Sequence, residues 1–226
     1  MAISAKTLFH FTKDICTIKS ILEIGFWPRY CREDGWGEDK NISWAVPIVC
    51  FTDIPLSKIN DHIYKYGSFG VGMKREWVRE QKDICPVWYL NQTSIDVVNQ
   101  LRNALQERNI PAHYRLFSLL KKTEGGKNYY YDEREWRYIP NVKNKELCFI
   151  NLKNHPMNKD ELKTESEKTK SYCLRFNPDD IQYLIIDDES NRSRMIDIIK
   201  QVYSNVKTVE VLSSKIISKK QIEEDF

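Results

Sequence analysis

The stretch Tyr129 to Ile139 reads YYYDEREWRYI and crowds acids and guanidinium groups into a run otherwise suited to a buried strand. On a strand, residues two apart share a face. The spacing therefore predicts Tyr130, Trp136 and Tyr138 on one side, with Asp132 and Arg134 near its edge, and Tyr131, Glu133, Glu135 and Arg137 on the other. One face packs, with Trp136 and Tyr138 buried opposite Glu135, and the other presents Glu-x-Glu-x-Arg. Neighbouring carboxylates raise each other's proton affinity and a cation two residues on restores ionisation, so the row suits stabilisation of a cationic transition state. It suits equally a surface strand held by cross-strand ion pairs.

The surrounding chain supplies strands interrupted by helices. Thr7 to Phe11 is β-prone, and Thr12 is a natural N-cap for a helix from Lys13 to Ile24 that Gly25 stops. Phe26 to Trp44 shows no period and reads as a long loop. Pro47 to Thr52 reads as a buried strand, and Asp53 with Pro55 opens a helix to about Tyr66. In the strand Phe69 to Met73, Gly70 and Gly72 leave one face bare, open to another backbone or a ligand. A short helix over Lys74 to Gln81, a strand over Pro86 to Leu90 and helices over Ser94 to Arg108 and Ala112 to Lys122 follow. After the central strand, Asn154 to Lys170 is so charged that it reads as a solvated loop or exposed helix. Strands are expected at Tyr172 to Phe176, Tyr183 to Ile186 and Thr208 to Leu212, with a helix over Ser193 to Tyr203 and a fraying Lys/Glu-rich end. This order lacks regular βαβ alternation and indicates an α+β fold, with a curved, mostly antiparallel sheet flanked by helices and the central strand in its middle.

At 226 residues with 41% apolar and 12% aromatic content, the chain supports a sizeable core, and a single domain over residues 1–226 is expected. Lys and Arg number 35 against 32 acids, a net charge of +3, too even to indicate nucleic acid as a partner. Cys16, Cys31, Cys50, Cys85, Cys148 and Cys173 are scattered without a C-x-x-C pair and read as reduced core thiols. No apolar run approaches the about 18 residues of a membrane span, and MAISAKTLFHF has no leader pattern. A cytoplasmic protein without a membrane segment is expected.

His10, His62, His113 and His155 are isolated from one another and from the cysteines, so no metal site is expected. His10 points away from Phe9 and Phe11 on a strand that enters a helix, which fits a ligand-facing group or a core-edge histidine. His62 forms a helical row with Lys58 and Tyr66. The aromatic-rich segment Phe26, Trp27, Tyr30, Trp36 and Trp44 suits stacking on a ring ligand or plain packing.

These residues together resemble a family. LFHFT (Leu8 to Thr12), Ile21-Leu22 with Gly25, PIVCFTDIPLS (Pro47 to Ser57), His62, Tyr66-Gly67, FGVGM (Phe69 to Met73), and Tyr131 with Glu133-x-Glu135-Trp136-Arg137 resemble the AbiGi-type abortive-infection proteins of bacterial phage defence and the related DUF2971 group. The run FNPDDIQYLII (Phe176 to Ile186) fits that wider group as well. The resemblance spans most of the chain, missing chiefly Ser94 to Lys127 and Asn154 to Lys170. It implies the antitoxin-like half of a two-component defence pair, whose partner is a nucleotidyltransferase-like toxin, or a regulator that binds a phage product.

A more distant resemblance bears on chemistry. A first strand with histidine, a helix with Ile-Leu-x-x-Gly and a late strand with Glu-x-Glu is similar to the order in ADP-ribosyltransferases. That likeness implies NAD as substrate, with Glu135, Glu133 and Arg137 as the catalytic set and His10, Thr12, Tyr30 and Tyr66 as the cofactor-binding set. Departure of nicotinamide leaves an oxocarbenium-like ribose, which a fixed carboxylate at Glu135 would stabilise. Two readings thus stand. A transferase places His10 and Glu135 across one cleft, whereas a silent regulator buries Glu135 against Arg137 as a structural ion pair.

Overall fold

A computed structural model describes residues 6–34, 43–98, 111–125, 128–142 and 144–225. The chain is α+β, and its strands pair mostly antiparallel. In chain order they are β1 (Thr7–Thr12), β2 (Arg29–Asp34), β3 (Ser43–Thr52), β4 (Phe69–Lys74), β5 (Ile84–Pro86), β6 (Trp88–Leu90) and β7 (Leu120–Lys122). There follow β8 (Glu124–Gly125), β9 (Asn128–Tyr129), β10 (Glu135–Tyr138), β11 (Ile150–Asn151), β12 (Ile181–Ile186) and β13 (Ile216–Ser218). The chain divides into two compact units: Met1–Phe26, Phe51–Lys82 and Arg175–Phe226 form one, and Trp27–Cys50 with Asp83–Leu174 form the other.

In the first unit, β1 pairs antiparallel with β4 from Thr7↔Lys74 to Thr12↔Phe69, and β12 lies antiparallel on the far side of β4. β13 adds parallel to β12, and Thr52 pairs with Phe9 on the other flank of β1. The face that Gly70 and Gly72 leave bare is taken by aromatic rings of this same sheet. Phe11 sits opposite Gly70 and Phe9 opposite Gly72, and a Cβ added at either glycine would meet those rings at 2.9 and 2.8 Å. Cross-strand glycine–aromatic pairing of this kind closes the sheet surface. Phe9 and Phe11 join Leu56, Ile59, Ile63, Ile185 and Ile222 in one apolar cluster.

The first helix starts at Ile15, two residues later than expected, because Thr12 still belongs to β1 and the Asp14 carboxylate accepts from the Cys16 N–H at 2.9 Å. Its buried stripe is Ile15, Ile18, Ile21 and Leu22, and Gly25 ends it at φ 91°. The helix expected from Asp53 is a single 3-10 turn, Leu56–Lys58, followed by an α-helix over Asn60–Tyr66. Thr208 to Leu212 is a correction. Its β-branched residues suggest a strand, yet it lies within the helix Val206–Ser214, where the Asn205 side chain caps the Thr208 N–H at 3.0 Å. The Lys/Glu-rich end is the helix Lys219–Asp225, held by Ile222 at 1% exposure.

In the second unit, β2 pairs with β3 from Arg29↔Ile48 to Asp34↔Ser43, so part of the expected long loop is a strand, while residues 35–42, including Trp36, lie outside the described residues. The outer edge of β2 is covered by the charged segment expected to be a solvated loop or exposed helix, which is helical and mostly exposed but buries three side chains. There the helix Lys159–Glu165, with a capping box from Asn158 and Glu161, leads into a 3-10 stretch Ser166–Tyr172. Ser166 Oγ accepts from the Tyr30 N–H at 2.9 Å, Thr169 donates to the Pro28 carbonyl, and Leu162, Ser166 and Thr169 are buried. Covering an edge strand in this way satisfies backbone groups that would otherwise template other strands. This stretch runs to Tyr172, and the strand expected at Tyr172 to Phe176 does not form.

Residues 92–98 are helical, and residues 99–108 of the helix expected there are not among the described ones. The helix expected over Ala112 to Lys122 is Pro111–Phe117, after which the chain turns into β7, parallel to β6. β10 lies between β3 and β5, an interior strand next to the sheet's edge rather than in its middle. The run Tyr129 to Ile139 is not one strand. After β9 it forms a 3-10 turn over Tyr130–Glu133, passes through Arg134 in the left-handed region at φ 43°, and enters β10 only at Glu135. That turn breaks the two-residue period. Tyr138 is buried, but Trp136 is only half-buried, and the inward positions are Glu135 and Arg137 at 7% and 4% exposure. The cysteines are all free and none is fully buried, with Cys16 and Cys50 exposed, so they are not core thiols.

Gly67 sets the turn between the helix Asn60–Tyr66 and β4 at φ 125°, and a Cβ there would meet the Thr12 carbonyl oxygen at 2.2 Å. Backbone cannot yield as a flexible side chain does. Gly67→Ala is expected to destabilise by about 2 to 4 kcal/mol in denaturant unfolding, combining left-handed strain with overpacking; unchanged stability would contradict the close approach.

Candidate functional site

The buried charges of β10 belong to a network drawn from four parts of the second unit. Glu135 and Arg137, two apart on β10, share a face, so the guanidinium folds back on its neighbour. Arg137 Nε donates to Glu135 Oε1 at 2.8 Å and Nη2 to Oε2 at 3.3 Å, a two-pronged contact. Arg137 Nη1 reaches Glu33 Oε2 on β2 at 3.1 Å and also donates to the Ser118 carbonyl. From β7, Lys121 Nζ donates to Glu133 Oε2 at 2.5 Å and Glu135 Oε2 at 3.1 Å. Tyr89, beside Lys121 in the β6–β7 register, accepts the Glu135 backbone N–H at 2.9 Å, and the Cys50 thiol donates to the Glu135 carboxylate.

Electrostatics follow from these partners. Burial alone would raise the pKa of Glu135, but Arg137 and Lys121 overcome it and bring the group down to about 2. Burial lowers the proton affinity of Lys121 and Arg137, yet the adjacent carboxylates, Glu135 and Glu33 foremost, hold both cations above their ordinary range. Glu33 goes the other way: burial is its largest influence and keeps its pKa raised although Arg137 opposes it. Three carboxylates face two cations, so Glu33 is the member whose protonation removes the excess negative charge. Both oxygens of Glu135 are engaged by donors, which makes it the counter-ion of Arg137 and Lys121. Among the described residues no group of three His, Cys, Asp or Glu side chains is arranged to hold a metal ion.

The residues singled out for NAD fall in both units. His10, Thr12 and Tyr66 lie in the first, and Tyr30, Glu133, Glu135 and Arg137 in the second. His10 is half-buried, its ring edge-on to Phe26 at 5.4 Å and Phe51 at 5.9 Å. Thr12 ends β1 opposite Phe69. Tyr66 stands 4.5 Å from the His62 ring, with Lys65 Nζ 5.1 Å from its own. Tyr30 is 6% exposed, its hydroxyl donates to the Leu147 carbonyl at 2.8 Å, and burial holds its pKa above the ordinary tyrosine value.

Glu33, Lys121, Tyr89 and Ser118 are the members that sequence spacing does not reveal. Glu33 is 104 positions from Arg137, and Lys121 sits in a run that reads as helix. The available signal was the row Glu133-x-Glu135-x-Arg137, two acids against one cation, which requires a further cation from elsewhere once the row is buried.

Arg137→Met strips the counter-charge from Glu135 and Glu33 and is expected to cost about 3 to 5 kcal/mol, as breaking a buried pair does. Glu33→Gln leaves two carboxylates against two cations, and its unfolding free energy at pH 7 is expected within about 1 kcal/mol of wild type. The pH dependence has opposite signs for the two acids. The lowered pKa of Glu135 gives stability present above its unfolded value of 4.5 and lost as pH falls toward about 2. The raised pKa of Glu33 makes stability fall as pH rises above 4.5, and Glu33→Gln should flatten that decline in pH-dependent denaturation. Equal costs for Arg137→Met and Glu33→Gln would refute the assignment.

Comparison with known proteins places this network in a family. A family model described as "Putative abortive phage resistance protein AbiGi, antitoxin" matches residues 25–187. The abortive phage resistance protein AbiGi of Lactococcus lactis subsp. cremoris is 29% identical over 230 residues, covering 81% of this chain and 90% of that protein. No solved structure matches the chain significantly. The matched span takes in β2, β3, β7, β10 and hence every charged member of the network: the chain belongs to the AbiGi family of phage-resistance proteins.

Proposed function

We propose that this chain is a non-catalytic, antitoxin-like member of a phage-defence pair, which acts by binding a toxin protein. The carrying observation is the state of Glu135, 7% exposed and bound through both oxygens to Arg137 and Lys121. A transferase needs that carboxylate turned to a ribose, and turning it would take two hydrogen bonds from the buried Arg137 and one of two carboxylates from Lys121. A regulator needs the opposite, a rigid body whose interior charges are neutralised internally. The family description as an antitoxin supports the same reading. NAD turnover by this chain remains the competing proposal, resting on the order of His10 and Glu135 in the sequence alone.

Two measurements test the proposal together. Purified protein is expected neither to consume NAD nor to shift its melting temperature in millimolar NAD. Depletion of the chain from its native host should arrest growth, and removal of the cognate toxin should relieve the arrest. NAD cleavage by wild type that disappears in Glu135→Gln at unchanged melting temperature, with harmless depletion, would overturn it.

A further inference from the structure

Two tyrosines next to the network are, with Trp88, the large aromatic residues of the second unit that stand exposed among the described residues. Tyr129 is 66% exposed and Tyr131 54%. Side chains of this size left in water stand out, because burying either would release considerable apolar area. Tyr131 is held by its backbone and its ring. The Tyr131 N–H donates to the Thr123 carbonyl at 3.2 Å, and its own carbonyl accepts from the Arg134 N–H at 3.2 Å. Its ring packs edge-on to Tyr89 at 5.4 Å. Tyr130 between them turns inward, its ring against Gly125 and 5.1 Å from Lys121 Nζ. One turn further, Glu133 anchors the 3-10 turn to Lys121. The left-handed Arg134 that broke the expected strand thus has a structural product: it ends a short turn pinned from below by a buried ion pair.

A rigid mount matters for binding, since an aromatic side chain on a pinned backbone loses little conformational freedom when it is covered. The rim is acidic. Glu124 stands opposite Tyr129 in the β8–β9 register, and Asp132 follows Tyr131; both are exposed. Exposed carboxylates repel phosphate backbones and attract cations, and tyrosine faces accept guanidinium and ammonium groups. Other exposed tyrosines are differently placed: Tyr64 has Lys219 Nζ 4.3 Å from its ring, and Tyr66 has Lys65.

We infer that the Tyr129–Asp132 turn, with Glu124, is the docking surface for a partner protein whose contacting face carries Arg or Lys. This rests on the binding role proposed above and names the chemistry of the partner. The buried network is then the support of the surface. Lys121 orients Glu133 below while the tyrosines are presented above, so Lys121 and Glu133 are positioning residues.

The test uses the full chain at native level in its host, with a photoreactive phenylalanine analogue at position 131 and, as control, at position 64. The expected result is an adduct at 131 to one protein with a basic surface patch, absent at 64. Glu124→Lys with Asp132→Lys should lower its yield about tenfold, as loss of rim and hot-spot complementarity does, at unchanged melting temperature. No adduct at 131, an equal adduct at 64, an adduct to nucleic acid, or a yield indifferent to the charge reversal would each overturn the surface. The growth measurement separates this from the antitoxin reading: depletion arrest without an adduct at 131 rejects the surface and keeps the role. A specific, charge-dependent adduct without depletion arrest keeps the surface and rejects the role.

Discussion

Burying Arg137 is the constraint on which the second unit depends. A guanidinium at 4% exposure demands counter-charge and hydrogen-bond acceptors on several sides, and its own strand supplies only some of them. Glu135 supplies two oxygens from the same strand, Glu33 one from β2, and the Ser118 carbonyl another from the turn before β7. Lys121 then closes the second side of Glu135. Because the acceptors of Arg137 come from β2, β10 and the turn before β7, the network ties these elements to a common arrangement. Around it, Trp44, Val46, Ile48, Leu120 and Ile139 provide the apolar packing that excludes water and strengthens each contact.

The first unit is organised by a different device. Two glycines on β4 accept two phenylalanines from β1, which turns what would be an open sheet face into a filled one. The interaction is steric and apolar, so it favours no particular charge state. The pairing also explains why FGVGM sits opposite LFHFT in the sheet, at a register that puts each ring over a missing side chain.

Much of this was legible in the sequence, and the failures have physical causes. The α+β class, β1, β4, β12 and the helix after β1 followed from periodicity and punctuation, since their buried residues recur at regular spacing. The family was legible in dispersed motifs. The helix Val206–Ser214 was not, because Val206, Val209 and Val211 imitate a strand while packing and the Asn205 cap decide for helix. Asn154 to Lys170 contains a mostly exposed helix, one of the two forms its charges suggest, but three buried positions in a field of charges, Leu162, Ser166 and Thr169, hid its packing on β2. Most informative is Glu135: its neighbours on β10 show one counter-ion, Arg137, whereas the second, Lys121, comes from another strand. Local spacing carries no trace of partners that tertiary structure brings in.

The account therefore turns on whether Glu135 is a buried, permanently ionised counter-ion. Carbon NMR of the side-chain carboxyl in protein labelled at glutamate Cδ, assigned through Glu135→Gln and Glu33→Gln, measures this directly. The Glu135 signal is expected to stay that of a carboxylate from pH 7 down through 4.5, its midpoint lying toward about 2 or being masked by acid unfolding, while Glu33 titrates above 4.5. A Glu135 midpoint at or above 4.5, or a signal that moves when NAD is added, would mean that the carboxylate is open to solvent and ligand and that the network does not hold it.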